Sequence, residues 1–170
     1  MDTQIRTLKA DIKADLKAIA DIYTALNRYS SMPTGEEQLI AVAYYLHNLY
    51  CAFESIFQRV ARVFGNQISD QAGWHADLLR RMALDIEGLR PRMLGEQAYD
   101  SLDELRRFRH LFRSAYRLRL DVERLALVYK RSKILEQVYP TDIDRFLDFL
   151  DSLLQESTEQ SAECTLASAG

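Results

Sequence analysis

Ala41-Val42-Ala43-Tyr44-Tyr45-Leu46-His47-Asn48-Leu49-Tyr50-Cys51-Ala52-Phe53 is apolar nearly all the way round when wound as a helix, interrupted mainly by His47 and Asn48. A helix without a polar face belongs inside a structure rather than on it. No apolar run of the chain approaches the ~18 to 20 residues that cross a bilayer, so the cover for this helix must come from other parts of the protein. The run extends naturally from Glu36 to about Phe64 and is expected to be the central helix of a bundle.

On its N-terminal side, Ile5, Leu8, Ile12, Leu16, Ile19, Ile22, Tyr23 and Leu26 recur at three- and four-residue spacing, which predicts an amphipathic helix from about Thr3 to Tyr29. Ser30 to Gly35, with Pro33, ends it. Downstream, Gly65-Asn66 is a stop, Ser69 or Asp70 is a cap, and a third helix is expected from about Gln71 to Glu87, closed by Gly88 and Pro91. Ser101-Leu102-Asp103-Glu104 has the form of a capping box, serine with glutamate three residues on, and predicts that an arginine-rich helix begins there. Asp121-Val122-Glu123 offers a weaker start for a helix to about Val138. Pro140-Thr141-Asp142 then predicts a break and a restart, and Ile143, Phe146, Leu147, Leu150, Leu153 and Leu154 mark a last amphipathic helix.

These elements predict an all-α fold, an up-and-down bundle of five to six helices with short connections. A length of 170 residues, 48% of them hydrophobic, suits one domain, expected over 1–156, with 157–170 a small, polar and disordered tail. Three prolines and six glycines leave long stretches free to be helical. No hydrophobic leader is visible in Met1 to Lys17, and Cys51 and Cys164 make neither a disulfide framework nor a metal-ligand spacing. The expected setting is therefore a reducing cytoplasm, with no membrane, no metal and no cofactor. No glycine-rich phosphate loop is present.

Charge is unevenly placed. The net charge is only −3, yet six arginines stand against one glutamate from Glu104 to Arg119, and eight acids face Arg145 alone from Glu136 to Glu163. Arginine makes up 17 of the 22 basic residues, and its planar fork suits bidentate contacts to phosphate or carboxylate. In Arg106-Arg107-Phe108-Arg109-His110-Leu111-Phe112-Arg113-Ser114-Ala115-Tyr116-Arg117, helical winding at about 100° per residue gathers Arg106, Arg107, Arg109, His110, Arg113, Ser114 and Arg117 on one arc of roughly 160°. Leu105, Phe108, Leu111, Phe112, Ala115 and Leu118 fill the rest, an apolar stripe wide enough to bury. Arg109 and Tyr116 fall about 20° apart at the seam between the arcs. No acid stands four residues along the arc to neutralise it, so a free basic surface is expected.

Arg109-x4-Ser114-x-Tyr116 resembles the signature of the HEPN superfamily, and within it of the HepT-like toxins: arginine, four residues, histidine, one residue, tyrosine. The context is similar too, in Tyr44-Tyr45-Leu46-His47-Asn48-Leu49-Tyr50, then Glu54, then Trp74-His75, then Phe108-Arg109-His110-Leu111-Phe112-Arg113, and the resemblance covers roughly residues 36 to 150. It implies a metal-independent ribonuclease working as a homodimer. Its partner would be a nucleotidyltransferase antitoxin that attaches AMP to the motif tyrosine, here Tyr116. Arg109 is the motif arginine, and Ser114 stands where the motif histidine would be. Serine is not a near-neutral acid or base, whereas histidine is.

The implied chemistry is attack of a 2′-hydroxyl on the adjacent phosphate, which needs charge stabilisation and proton transfer. Arg109, His110, Arg113 and Ser114 are the candidate catalytic residues, with His110 able to deputise for the missing histidine. Tyr116 is the candidate modification site, and Arg106, Arg107 and Arg117 are candidate RNA contacts. Glu54, seven residues on from His47 and on the same helical face, would need an arginine partner if buried and is a candidate brace for the motif arginines. Trp74 and His75 read most simply as packing residues, and His47 as a satisfied core histidine. Two other readings of the same residues stand open: a non-catalytic HEPN module that binds RNA or nucleotide, favoured by Ser114, and a helical interaction dimer whose basic arc docks on an acidic surface.

Overall fold

The computed structural model describes residues 2–29, 31–65, 73–114 and 121–167, with side chains described as far as 109 in the helix ending at 114 and as far as 157 in the last helix. Among the described residues the elements are five helices: α1 (Asp2–Leu26), α2 (Glu36–Val63), α3 (Trp74–Met82), α4 (Glu96–Ser114) and α5 (Val122–Ala167). The fold is an all-α bundle. Among the described residues the sole β-type pairing is an isolated bridge between Ile86 and Arg90.

α2 packs against each of the other four helices, as its sequence requires. Its buried residues run Leu39, Val42, Ala43, Leu46, Leu49, Tyr50, Phe53, Glu54, Ile56, Phe57, Val60 and Ala61. Cover is not complete, however. Tyr44 is 55% exposed and Ile40 45%, so α2 keeps one solvent face that its composition hides. On the opposite side Phe53 meets Tyr139 edge to face at 5.3 Å and lies 6.2 Å from Phe57. Tyr139 in turn stacks on Tyr23 at 5.9 Å, which ties α2, α5 and α1 through one aromatic cluster. The Tyr23 hydroxyl donates to the Ser132 carbonyl at 3.0 Å, and burial, followed by the nearby Glu136, pushes its ionisation well above the usual tyrosine range.

Cross-links between helices show their directions. Arg59 near the end of α2 pairs with Asp11 at 2.8 Å and Asp15 at 3.1 Å in α1, while the start of α1, at Thr3 and Gln4, lies beside Arg62 and Val63. Lys9 pairs with Asp151, and Asn27 with Glu136, so α1 runs antiparallel to α5 as well. Gly95 bonds to Asp142 while Glu104 pairs with Arg124, which makes α4 antiparallel to α5.

In three of the helices the boundaries differ from those the sequence predicts. α4 begins at Glu96, not at the Ser101 capping box: Ser101 is fully buried, and its hydroxyl bonds back to the Gln97 carbonyl at 2.9 Å. Ala98, Leu102 and Leu105 form a continuous buried stripe that extends the helix past the local capping signal. Secondly, α5 runs through Pro140 without a break. The ring cannot donate to the carbonyl four residues back. It lies on the exposed side of α5, though, while Leu135, Ile143 and Phe146 anchor the helix in the core before and after it. α5 also continues through 157–167, the stretch whose composition suggests a tail. Thirdly, α3 spans only Trp74–Met82, because Arg90 folds back and donates to the carbonyls of Arg81 at 2.9 Å and Pro91 at 3.1 Å. The expected stop at Asn66 and the Ser69 or Asp70 cap lie outside the described residues.

The start of α4 is fixed to α5. Gly95 stands before the first turn and donates its N–H to Asp142 Oδ2 at 2.7 Å, and a Cβ at Gly95 would sit 3.2 Å from both carboxylate oxygens. A carboxylate at a helix N-terminus is stabilising, and this one is nearly buried at 9% exposed. Asp142→Ala is expected to cost about 1–3 kcal/mol by leaving that N–H unsatisfied. Urea unfolding at neutral pH measures it, and a change below about 0.5 kcal/mol would show that the contact does not hold α4 in place.

Candidate functional site

Glu54, His75 and Arg109 come together from three helices. Glu54 projects from the middle of α2 and is 4% exposed. A carboxylate so placed must be paired to stay ionised. Its Oε2 lies 3.1 Å from Arg109 Nη2 of α4, and its Oε1 accepts from His75 Nδ1 of α3 in a short contact. The third side closes the triangle: Arg109 Nη1 stands 3.2 Å from His75 Nε2.

Bonding partners determine the histidine's proton. A guanidinium only donates, so His75 Nε2 must be the acceptor, and the ring proton is on Nδ1, facing Glu54. Both carboxylate oxygens and both ring nitrogens are therefore used. Arg109 Nε remains buried with no acceptor among the described residues. Below the guanidinium lies the Tyr50 ring, 5.8 Å from Cζ to centroid, a cation–π contact that holds the fork flat. Burial, then the Glu54 carboxylate, pushes the Tyr50 hydroxyl far above the ordinary tyrosine range, so Tyr50 stays neutral.

α3 owes its place in this triangle to its first turn. Gly73 precedes it with φ +97°, a left-handed conformation that side-chain-bearing residues rarely adopt, and the chain turns there so that Trp74 and His75 enter the helix together. Their rings lie 3.8 Å apart, and Trp74 packs on the core. The indole therefore limits the imidazole's freedom. Taken as side chains alone, His75 is 27% exposed, Arg109 12% and Glu54 6%, so the imidazole is the most open of the three.

The basic arc is less free than its sequence suggests. Arg106 pairs with Asp103 at 2.7 Å and Arg107 with the other oxygen of Asp103 at 2.7 Å, while Glu104 lies 3.9 Å from Arg107 and 3.2 Å from Arg124 of α5. The expectation of an arc without acids four residues away is thus corrected: Asp103 to Arg107 is such a pair. Three guanidinium groups share two carboxylates there, and Arg107 remains 56% exposed.

Among the sequence-predicted residues, Arg109 and Glu54 are brought together, and Arg106 and Arg107 stand on the preceding turn. His110, Arg113 and Ser114 lie in the last turn of α4 with side chains outside the described residues, and Tyr116 and Arg117 lie outside them entirely. His47 is half-buried with Nε2 3.7 Å from Cys51 Sγ. Sequence reasoning missed His75. The signal was present: a buried glutamate with two oxygens needs more than one donor, and His75 follows Trp74 on the neighbouring helix.

The site is thus a buried glutamate of the central helix set against an arginine of α4 in an all-helical bundle. A family model described as HepT-like protein matches residues 41–150, and the chain belongs to that family. No curated protein and no solved structure matches it. The matched span takes in most of α2, all of α3 and α4 and most of α5, including all three members of the triangle. Among the described residues no helix is long and apolar enough to cross a membrane, and no group of three or more His, Cys, Asp or Glu is placed to hold a metal ion.

Proposed function

We propose that this chain is the toxin of a bacterial toxin–antitoxin pair and that it cuts RNA without a metal at the site around Arg109. The supporting observation is the Glu54–Arg109 pair, which fixes a guanidinium at one position on the motif helix before any substrate arrives. Preorganised positive charge aimed at a phosphate is the strongest single contribution a protein can make to phosphoryl chemistry. Arg113 adds to it, Arg106, Arg107 and Arg117 attract the RNA backbone, and His110 and Ser114 complete the last turn of α4. A second protomer faces this helix across a homodimer cleft. A nucleotidyltransferase antitoxin silences the protein by placing AMP on Tyr116, where added bulk and negative charge oppose RNA entry.

The test compares the purified parent with Arg109→Ala and Arg109→Lys on single-stranded RNA in the presence of a chelator. The parent is expected to cleave. Loss of the fork is expected to lower the rate about 10²–10³-fold, with lysine close to alanine because it cannot bond bidentately. Circular dichroism checks that each variant is folded. A parent that binds RNA in a salt-dependent way and never cuts it would establish the binding-module reading instead.

A further inference from the structure

We propose that His75, from outside the motif helix, supplies the imidazole that Ser114 lacks, and that its Nε2 is the base that takes the 2′-hydroxyl proton. The inference rests on the RNA-cleaving reading above and adds a residue to it. Three observations carry it. His75 Nε2 lies 3.2 Å from Arg109 Nη1, so the imidazole is already at the motif arginine. Glu54 holds Nδ1 and so leaves the lone pair of Nε2 on the side of the Arg109 fork. The ring is 27% exposed, open enough for a ribose to reach it, whereas Glu54 at 6% is not.

The resting contact also gives the site a trigger. Arg109 donates to Nε2 and so blocks the base. A bound phosphate competes for that N–H, because a charge-assisted bond to an anion is stronger than one to a neutral ring. As Nη1 turns to the non-bridging oxygen, the Nε2 lone pair is released beside the ribose. Nε2 takes the 2′-hydroxyl proton while the 2′-oxygen forms its bond to phosphorus. The bond from phosphorus to the 5′-oxygen breaks, its electron pair stays on that oxygen, and a proton from water completes the 5′-hydroxyl. The imidazolium, stabilised through Nδ1–H by the Glu54 carboxylate, then returns its proton to solvent. The products are a 2′,3′-cyclic phosphate and a 5′-hydroxyl end, with no change in oxidation state. Glu54 is a positioning residue in this scheme. Among the described residues, the charged groups in contact with the ring are Glu54 from α2 and Arg109 from α4, with Tyr50 of α2 beneath the guanidinium.

Single-turnover RNA cleavage by the full chain is measured across pH for the parent, His75→Gln and His75→Ala, the last with and without free imidazole, and thermal melts check folding. Glutamine keeps a donor toward Glu54 and so preserves the tether. His75→Gln is expected to fold, to lose about 10²–10⁴-fold in rate, and to lose the acidic limb of the pH profile. Free imidazole is expected to restore part of the His75→Ala rate, in proportion to its unprotonated form.

A folded His75→Gln with parental rate and profile, while Arg109→Ala is inactive, would overturn the inference and leave the ribonuclease reading standing. A slow His75→Gln that keeps the parental pH profile, with no imidazole rescue of His75→Ala, would make His75 a tether and equally overturn it. So would removal of the acidic limb by His110→Gln in place of His75→Gln. A parent that cuts no RNA removes the ribonuclease reading itself and this inference with it, a pattern distinct from the others because no variant then has a rate to lose.

Discussion

Glu54→Ala is expected to destabilise the protein by about 3–5 kcal/mol, the cost of leaving a buried charge without its partner. For a chain of this size that corresponds to a fall in Tm of roughly 6–20 °C. The reason is specific to the position. Arg109 is 12% exposed and its guanidinium spends one nitrogen on Glu54, so removing the carboxylate strands a cation that water reaches poorly. The lost attraction is the smaller part of the effect. Pairing Glu54→Leu with Arg109→Leu removes both charges, and the double variant is expected to recover much of the loss because the two changes are strongly coupled. Urea or thermal unfolding of the two single variants and the double measures that coupling. If Glu54→Ala stays within about 0.5 kcal/mol of the parent, the size of an ordinary surface change, the pair is not buried in solution and the site described above is wrong.

Phe53→Ala, one residue earlier on the same helix, is expected to cost a similar amount, about 3–5 kcal/mol, for a different reason. Its ring is fully buried between Phe57 and Tyr139, and Tyr139 carries the contact on to Tyr23 of α1. Truncation leaves a cavity where three helices meet. Because the ring lies in the aromatic cluster and not in the Glu54–His75–Arg109 triangle, the folded fraction of Phe53→Ala is expected, under the ribonuclease proposal, to cleave RNA at the parental rate at temperatures below its lowered Tm. Melting curves and cleavage assays on one preparation test both halves. A stable Phe53→Ala would contradict the packing, and a stable but inactive one would show that the cluster and the site are not separate.

The difference between these neighbours also shows what could be read in the sequence. Periodicity identified α1 and α2 almost to their ends, because both bury a regular stripe whose spacing is visible residue by residue. It failed at Ser101, where a good local cap is overridden by buried Ala98, and at Pro140, where helix packing on both sides carries α5 past a residue that would stop it in isolation. Local signals compete with tertiary burial at such points, and burial wins. At the site, the need of Glu54 for an arginine was legible from its place on an apolar helix. The role of His75 was not, since the contact joins α3 to both α2 and α4 and depends on how Gly73 turns the chain. The pairing of Asp103 with Arg106 and Arg107 was in plain view at three- and four-residue spacing, but it came from the turn before the basic arc.

Glu54, His75 and Arg109 are supplied by residues far apart along the chain, and this has a consequence during synthesis. A ribosome releases Glu54 and His75 well before Arg109, and the three meet only when α4 has emerged and folded onto α2. Until then the carboxylate and the imidazole have no cation between them. A chain that stops before Arg109 therefore carries the carboxylate and the imidazole without the site.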